Sequence, residues 1–141
     1  MKLIQLFEPH LIREALREDD LYKSILHIDS IDTWIPDTCI CKWFVGFKDN
    51  EFLGVLLIDQ KTDYLYGFHG GVYKPYRGQG TEIVKEALEI VREQYHCKFM
   101  TTIPSNNTPA QGLVLRLGLT EIGRIKDGYK PFDMIIYSEE E

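Results

Sequence analysis

A glycine-rich turn at the start of a helix is the part of this sequence best suited to bind a ligand. It runs from Arg77 to Thr81 as Arg-Gly-Gln-Gly-Thr, between an apolar, aromatic run and a stretch with apolar residues at helical spacing. The first N–H groups of a helix lack partners within it, and the helix dipole adds partial positive charge there. Gly78 and Gly80 let the backbone approach a ligand closely. The turn therefore predicts a phosphate site, with an ordinary strand-to-helix loop as the alternative.

Seven short apolar runs are predicted as strands, and one of them leads into this turn. Residues 40–47 and 52–58 flank Lys48-Asp49-Asn50-Glu51, a pattern that indicates a hairpin. Residues 64–72 lead into the turn, and Gly70 and Gly71 near their end predict a bulge or a close backbone approach. The other strands are predicted at residues 2–7, 99–103, 120–125 and 132–137, the last two joined around residues 126–128.

Four helices are predicted between these strands. The first begins at Pro9, the second covers residues 21–28, and the third covers residues 81–95. Thr108 is predicted as the N-cap of the fourth, which ends at Gly118. Residues 29–38 are predicted as a loop in which Trp34 either caps the core or lines a substrate site. The core face of the first helix is predicted to consist of Leu11, Ile12, Ala15 and Leu16.

Composition limits the class of protein. The chain has 141 residues, 44% hydrophobic and 27% charged, which predicts one domain over residues 1–141 with a sizeable core. Its apolar runs are too short to span a bilayer and its first residues do not resemble a signal peptide, so a cytoplasmic protein with no membrane partner is expected. A net charge of −6, with an acidic end at Glu139, Glu140 and Glu141, argues against nucleic acid as the partner.

The three cysteines are also consistent with a cytoplasmic protein. Cys39 and Cys41 are two residues apart, a poor spacing for zinc or a disulfide, and Cys97 begins a predicted strand. No cluster of histidines accompanies them. We therefore expect buried or half-buried free thiols and no metal site.

Two motifs resemble those of one enzyme superfamily. The order Val-x-x-x-Tyr-Arg-Gly-x-Gly over residues 72–80, before a helix, resembles the acyl-CoA-binding motif of the GNAT N-acetyltransferases. The resemblance covers about residues 53–137. It implies an α/β fold with a mixed, mostly antiparallel sheet and a central cleft flanked by helices. A second GNAT signature is matched by Asn107, Ala110, Leu113, Arg116, Gly118 and Leu119.

The resemblance also implies an activity and a binding site. GNAT enzymes transfer the acetyl group of acetyl-CoA to an amine that attacks the thioester directly, so the expected acceptor is a small amine or a protein amine. The pantetheine arm would lie beside Val72 and Lys74, and the pyrophosphate over the turn. The residues expected to bind acetyl-CoA are Val72, Lys74, Arg77, Gly78, Gln79, Gly80, Thr81 and Asn107. Arg77 either adds charge for the phosphates or clamps the turn.

Two positions depart from the family pattern. Glu82 stands where GNAT proteins usually have a small residue, and a carboxylate about 4 Å from a phosphate costs from about 1 kcal/mol in water to about 4 kcal/mol at an effective dielectric constant near 20. Val114 replaces a tyrosine that often protonates the departing thiolate.

Other residues are candidates for the missing proton transfer. Because histidine titrates near neutral pH, His69 is the best candidate for a catalytic base, with a structural histidine as the alternative. Tyr73, expected at the edge of the cleft, and Tyr129 are the other candidates.

One branch of the superfamily shares these departures. The chain is similar to GNAT-like proteins encoded by short-tailed bacteriophages, some of them labelled head-assembly or virion proteins. This implies an alternative function, in which a catalytically weakened GNAT fold contacts virion proteins in the host cytoplasm or the virion. The matching residues are His69, Tyr76, Arg77, Gly78, Glu82, Ile103, Pro104 and Asn107.

Overall fold

Across residues 1–26 and 28–139, which the computed structural model describes, seven strands form one sheet and four α-helices pack on its faces. The strand order is β1-β2-β3-β4-β5-β7-β6. The strands are β1 (Lys2–Leu6), β2 (Cys41–Lys48), β3 (Glu51–Gln60), β4 (Leu65–Val72), β5 (Lys98–Pro104), β6 (Leu119–Tyr129) and β7 (Phe132–Glu139). The α-helices are α1 (Pro9–Arg17), α2 (Leu21–Leu26), α3 (Gly80–Tyr95) and α4 (Thr108–Arg116). Position 27 of the predicted second helix and the predicted acidic end at Glu140 and Glu141 lie outside the described residues.

The sheet is split between β4 and β5. These two strands pair in parallel at Leu65–Lys98, Tyr66–Phe99 and Gly67–Met100, and within the described chain no β4–β5 pair follows. The other neighbouring strands are antiparallel. Where the strands part, the buried Thr101 hydroxyl donates a hydrogen bond of 2.6 Å to the Phe68 carbonyl. The predicted α/β fold, with a mixed, mostly antiparallel sheet open at its centre, is confirmed.

Each face of the sheet carries its own apolar core. One core packs α3 and α4 on the sheet and includes Phe68, Leu88 and Phe99. The other packs α1 and α2 on the opposite face and includes Ile12 and Leu57. Because successive side chains of a strand point to opposite faces, β2 and β3 contribute to both cores, whereas the described core residues of β4 and β5 belong to the α3–α4 core.

The predicted caps and core faces were partly right. Ile12 and Leu16 are buried in the α1 core, but Leu11 is 41% exposed at the edge of that helix face. Trp34 packs edge-on against Trp43 with 5.4 Å between ring centroids, which confirms that it caps the core. Gly118, with φ of 92°, follows the end of α4 as predicted.

The N-cap of α4 is Asn107, not Thr108. The Asn107 side-chain oxygen accepts a hydrogen bond from the Ala110 N–H at 3.3 Å. An asparagine three residues before the N–H group it caps has the usual N-cap geometry, so Thr108 becomes the first helical residue.

The turn of the last hairpin also differs from the prediction. Tyr129 pairs with Phe132, so the chain reverses at residues 130–131, and the pairing shifts between Ile125 and Tyr129. Asp127 has φ of 54°, and its N–H donates to the Asp133 carboxylate at 3.2 Å. The Asp-Gly pair at 127–128 therefore produces an irregularity inside β6 rather than the turn.

Gly71, near the end of β4, serves close packing rather than a bulge. The β3–β4 pairing is regular from Gly54–Val72 to Gln60–Tyr66, which makes the bulge alternative wrong. A Cβ on Gly71 would lie 3.0 Å from atoms of Leu21 and Ile25 in α2, and a Cβ on Gly54 would lie 2.1 Å from the Gly71 carbonyl oxygen. Gly54 also has φ of 154°, which side chains rarely adopt. The close-approach alternative is confirmed for Gly71, whereas a Cβ on Gly70 would make only ordinary contacts at 3.8 and 3.9 Å.

The three thiols lie in different environments. Cys97 is buried and Cys41 half-buried, and burial raises the pKa of both thiols, which favours the neutral form. Cys39 is exposed, contrary to the prediction, and belongs to neither core. No described helix is long and apolar enough to cross a membrane.

Candidate active site

The split between β4 and β5 opens into a hollow. Its volume is about 810 Å³, within the usual size range of ligand sites. The walls come from the ends of β4 and β5, the turn between β4 and α3, the first turn of α3, the inner face of α4, and α2. We call this hollow the cleft.

The cleft is lined from both faces of the sheet. His69 lies opposite Leu57, a member of the α1–α2 core, so the His69 side chain is on that face with Leu21 and Ser24 of α2. Val72, which has the opposite orientation along β4, packs on the α3–α4 core. Two molecules could therefore enter from opposite faces and meet at the split.

The glycine-rich turn lies on the α3–α4 side of the cleft. Residues Lys74–Gln79 form a 3₁₀ helix that leads into α3 at Gly80. A Cβ on Gly78 would meet no described atom within 4 Å, whereas one on Gly80 would lie 3.4 Å from Leu113 Cδ1. The backbone at Gly78 is thus accessible, and the binding of an anion there stays a prediction.

The acetyltransferase (GNAT) family model matches residues 8–119, which include the turn, both strands of the split and α4. The chain belongs to this family.

Solved GNAT structures share the fold over nearly the whole chain. A spermidine N-acetyltransferase chimera from Vibrio cholerae and hSSAT is 16% identical with a TM-score of 0.76, covering 99% of this chain and 95% of that one. Campylobacter jejuni PseH, an N-acetyltransferase solved in complex with acetyl coenzyme A, is 18% identical with a TM-score of 0.65 and 99% coverage of both chains. Among curated protein sequences, none matches the chain significantly.

Arg77 of the glycine-rich turn is held by an ion pair. Its guanidinium donates to the Asp19 carboxylate at 2.8 Å and to the Val72 carbonyl at 3.4 Å. Asp19 lies in the short 3₁₀ helix between α1 and α2. The ion pair therefore connects the α1–α2 junction to the glycine-rich turn. The clamp alternative fits these contacts, since part of the Arg77 charge is already compensated.

A second cation at the turn was not among the predicted binding residues. Arg116, in the last turn of α4, lines the cleft, and its Nε donates to the Thr81 hydroxyl at 3.0 Å. This contact places a positive charge beside the first turn of α3. Arg116 could have been found from the second GNAT signature, in which it stands at the position of a lysine.

The structure gathers most of the predicted site residues but not all. Lys74 and Gln79 belong to the 3₁₀ helix but are not among the described residues that line the cleft. Asn107 lines the cleft while its side-chain oxygen caps α4. The predicted residues that line the cleft are His69, Val72, Arg77, Gly78, Gly80, Thr81 and Asn107.

The tyrosine candidates do not line the cleft. Tyr73 was expected at its edge, but its N–H continues the pairing with Leu53 and its ring packs on Phe52 at 5.5 Å, in a different hollow. Tyr129 lies at the end of the last hairpin, outside the described lining of the cleft. Val114 is 3% exposed in the α3–α4 core, so this position supplies no proton.

Proposed function

We propose that the protein binds acetyl-CoA in the cleft and transfers its acetyl group to an amine. The observation that carries this proposal is the cleft lined from both faces of the sheet, with an open glycine turn on one face and a histidine on the other. When bound, acetyl-CoA supplies a thioester, so transfer to an amine yields an N-acetyl amide and the free CoA thiol.

The residues on the α3–α4 side fit this molecule. The open space at Gly78 admits a pyrophosphate against the backbone, and Arg116 supplies an adjacent positive charge. Beyond Gly67 the edge of β4 has no described β5 partner, so its peptide groups can pair with the amides of a pantetheine arm. Val72 is the cleft-lining residue at the end of that edge.

The residues on the α1–α2 side fit the acceptor amine. His69 is half-buried there beside Leu21 and Ser24 of α2. As a base, His69 would take the proton that the amine must lose to become a nucleophile. The acceptor is a small amine or a protein amine.

A role for this fold in bacteriophage head assembly is the second proposal. Its support lies in Glu82 at the turn and in the buried Val114, both of which weaken the expected chemistry. Neither the family model nor the structures named above add support for a phage origin. A protein acting only through virion contacts would bind CoA weakly and would show no turnover.

Acetyl transfer is tested by measuring release of the CoA thiol from acetyl-CoA with a panel of amines. We expect at least one aliphatic amine or lysine peptide to accelerate thiol release above the rate without enzyme, with a matching mass increase in the amine. Thermal denaturation with acetyl-CoA provides the control, because ligand binding to the native state raises the melting temperature even without turnover. Stabilisation without thiol release for any amine would contradict acetyl transfer but not acetyl-CoA binding, and the absence of both would contradict the proposed function and favour the scaffold role.

Replacing Glu82 with alanine should tighten acetyl-CoA binding by about tenfold. The Glu82 side chain is exposed in the first turn of α3 and lines the cleft beside Thr81, so its charge opposes a phosphate bound there. Alanine is a good helix former and removes the charge with little cost to the helix. Calorimetric titration at two salt concentrations measures the change, and the gain should shrink at high salt.

Glu89→Ala is the matched control for this change. Glu89 is exposed in the same helix but does not line the cleft, so its loss should leave the affinity within about twofold. Equal gains in both variants would mean that only the net charge matters. Weaker binding by the Glu82 variant would mean that Glu82 helps to build the site.

A further inference from the structure

Among the polar aliphatic and charged residues of the described chain, only Thr101 is buried, and it lies where the sheet splits. It is 4% exposed, and the last β4–β5 pair, Gly67–Met100, directly precedes it. Its side chain is on the α3–α4 face, because it alternates along β5 with Met100 and Thr102 and shares the face of Phe99 and Ile103, two residues of the α3–α4 core. Thr101 therefore marks the closed end of the cleft on the side proposed for acetyl-CoA.

The Thr101 hydroxyl takes the place of the next backbone hydrogen bond between β4 and β5. It donates to the Phe68 carbonyl at 2.6 Å, and Phe68 is the first residue of β4 after the last pair with β5. A buried carbonyl without a donor is costly, so a ladder that stops inside a sheet needs another group to satisfy its last acceptor. Because a hydroxyl has one proton, this contact also commits the Thr101 donor.

A second carbonyl on the same edge of β4 is occupied by Arg77. The β3–β4 pairing is regular, and in a regular strand the N–H and C=O groups of alternate residues point to the same side. Phe68, Gly70 and Val72 therefore all direct these groups toward the split. The Val72 carbonyl accepts a hydrogen bond from Arg77 Nε at 3.4 Å. Between the two occupied carbonyls, that of Gly70 has no contact with a described side-chain donor.

We propose that Thr101 is a positioning residue that fixes the register of the pantetheine arm along β4, an inference that rests on the proposed function. With the Phe68 and Val72 carbonyls occupied, the Gly70 carbonyl is the acceptor left for an amide N–H of the arm. A single pairing position holds the thioester at one depth in the split. The acetyl carbon is then presented at a defined place to the attacking amine.

Removing the Thr101 hydroxyl would open a second pairing position for the arm. The Phe68 carbonyl is two residues from that of Gly70, which places it about 7 Å deeper along the strand. An arm that can pair with either carbonyl keeps its hydrogen bond, but the thioester is misplaced for part of the time. The expected result is a loss of kcat with little loss of acetyl-CoA affinity. A purely structural role of Thr101 would lower both together.

Three substitutions of Thr101 test this role by calorimetric titration with acetyl-CoA and by steady-state kinetics with the amine that gives the fastest thiol release. Thr101→Val keeps the shape of the side chain without the hydroxyl. Thr101→Ala leaves room for a water at the Phe68 carbonyl, which protects the fold if the valine variant does not fold. Both should lower kcat by about tenfold or more, with Kd for acetyl-CoA within about threefold. Thr101→Ser retains the hydroxyl, and its kcat should stay within about threefold of the wild type.

Thr120→Val is the matched control. Thr120 is half-buried in β6 and is not among the described residues that line the cleft, so its kcat and Kd should equal those of the wild type. Unchanged kcat in the valine and alanine variants, an equal loss in the serine or Thr120 variant, or a fall of kcat and affinity by the same factor would each overturn the role of Thr101 alone. A wild type that does not release the thiol would overturn the proposed acetyl transfer, and this inference with it.

Discussion

Replacing Gly78 with phenylalanine should abolish the stabilisation of the protein by acetyl-CoA while leaving the fold intact. A Cβ at this position meets no described atom within 4 Å, and Gly78 does not have a positive φ, so the backbone accepts a side chain. The ring would then occupy the space over the turn where the pyrophosphate is proposed to lie. At a ligand concentration about a hundred times Kd, the wild type should gain about 2.7 kcal/mol, which raises the melting temperature by several degrees.

The Gly78→Ala variant distinguishes the effect of filling the space over the turn from the effect of replacing the glycine itself. We expect this variant to retain most of the acetyl-CoA-induced shift, because a methyl group fills little of the opening. Without ligand, the melting temperatures of both variants should stay close to that of the wild type. Gly80 is a poorer position for the test, since its Cβ would already contact Leu113. An undiminished shift in the phenylalanine variant would place the ligand elsewhere.

Replacing His69 with asparagine should lower kcat for acetyl transfer by about 10²- to 10⁴-fold, the usual contribution of a general base. Asparagine retains hydrogen-bonding atoms but cannot take up a proton at neutral pH. Because His69 lies on the α1–α2 face, the affinity for acetyl-CoA on the opposite side should change little. Steady-state kinetics across pH should show that the variant also loses the dependence on a titrating base.

His96→Asn is the matched control. His96 is exposed at the end of α3 in the left-handed conformation, which asparagine tolerates, and it is not among the described residues of the cleft. Its kcat should equal that of the wild type. Unchanged kcat in the His69 variant would show that another group, or water, removes the proton.

The elements of the fold could be predicted because their signals are local. Alternating aromatic residues, the Gly78 turn and the apolar face of α3 each specify one element without reference to distant residues. Their order matched that of a known fold. The cleft followed from the same order, because β4 and β5 are each followed by a helix and part after Gly67.

The misplaced features depend on contacts between distant residues. Tyr73 was assigned to the edge of the cleft because it precedes the turn, but its N–H pairs with Leu53 and its ring packs on Phe52, outside the described lining of the cleft. The Arg77–Asp19 pair joins residues 58 positions apart, which no local pattern shows. The turn of the last hairpin was misplaced for a different reason. The Asp-Gly pair is compatible both with a hairpin turn and with an irregularity within a strand.

The close contact between Gly54 and the Gly71 carbonyl has a consequence for how this sequence can diverge. Gly54 is required by the fold itself, because any side chain there would enter the backbone of β4. Gly78 meets no such obstacle, so only an occupant of the cleft would keep it a glycine. In a lineage that stopped using the cleft, position 78 would drift while position 54 stayed fixed. The pair of positions therefore distinguishes descendants that inherited the chemistry from those that inherited only the scaffold.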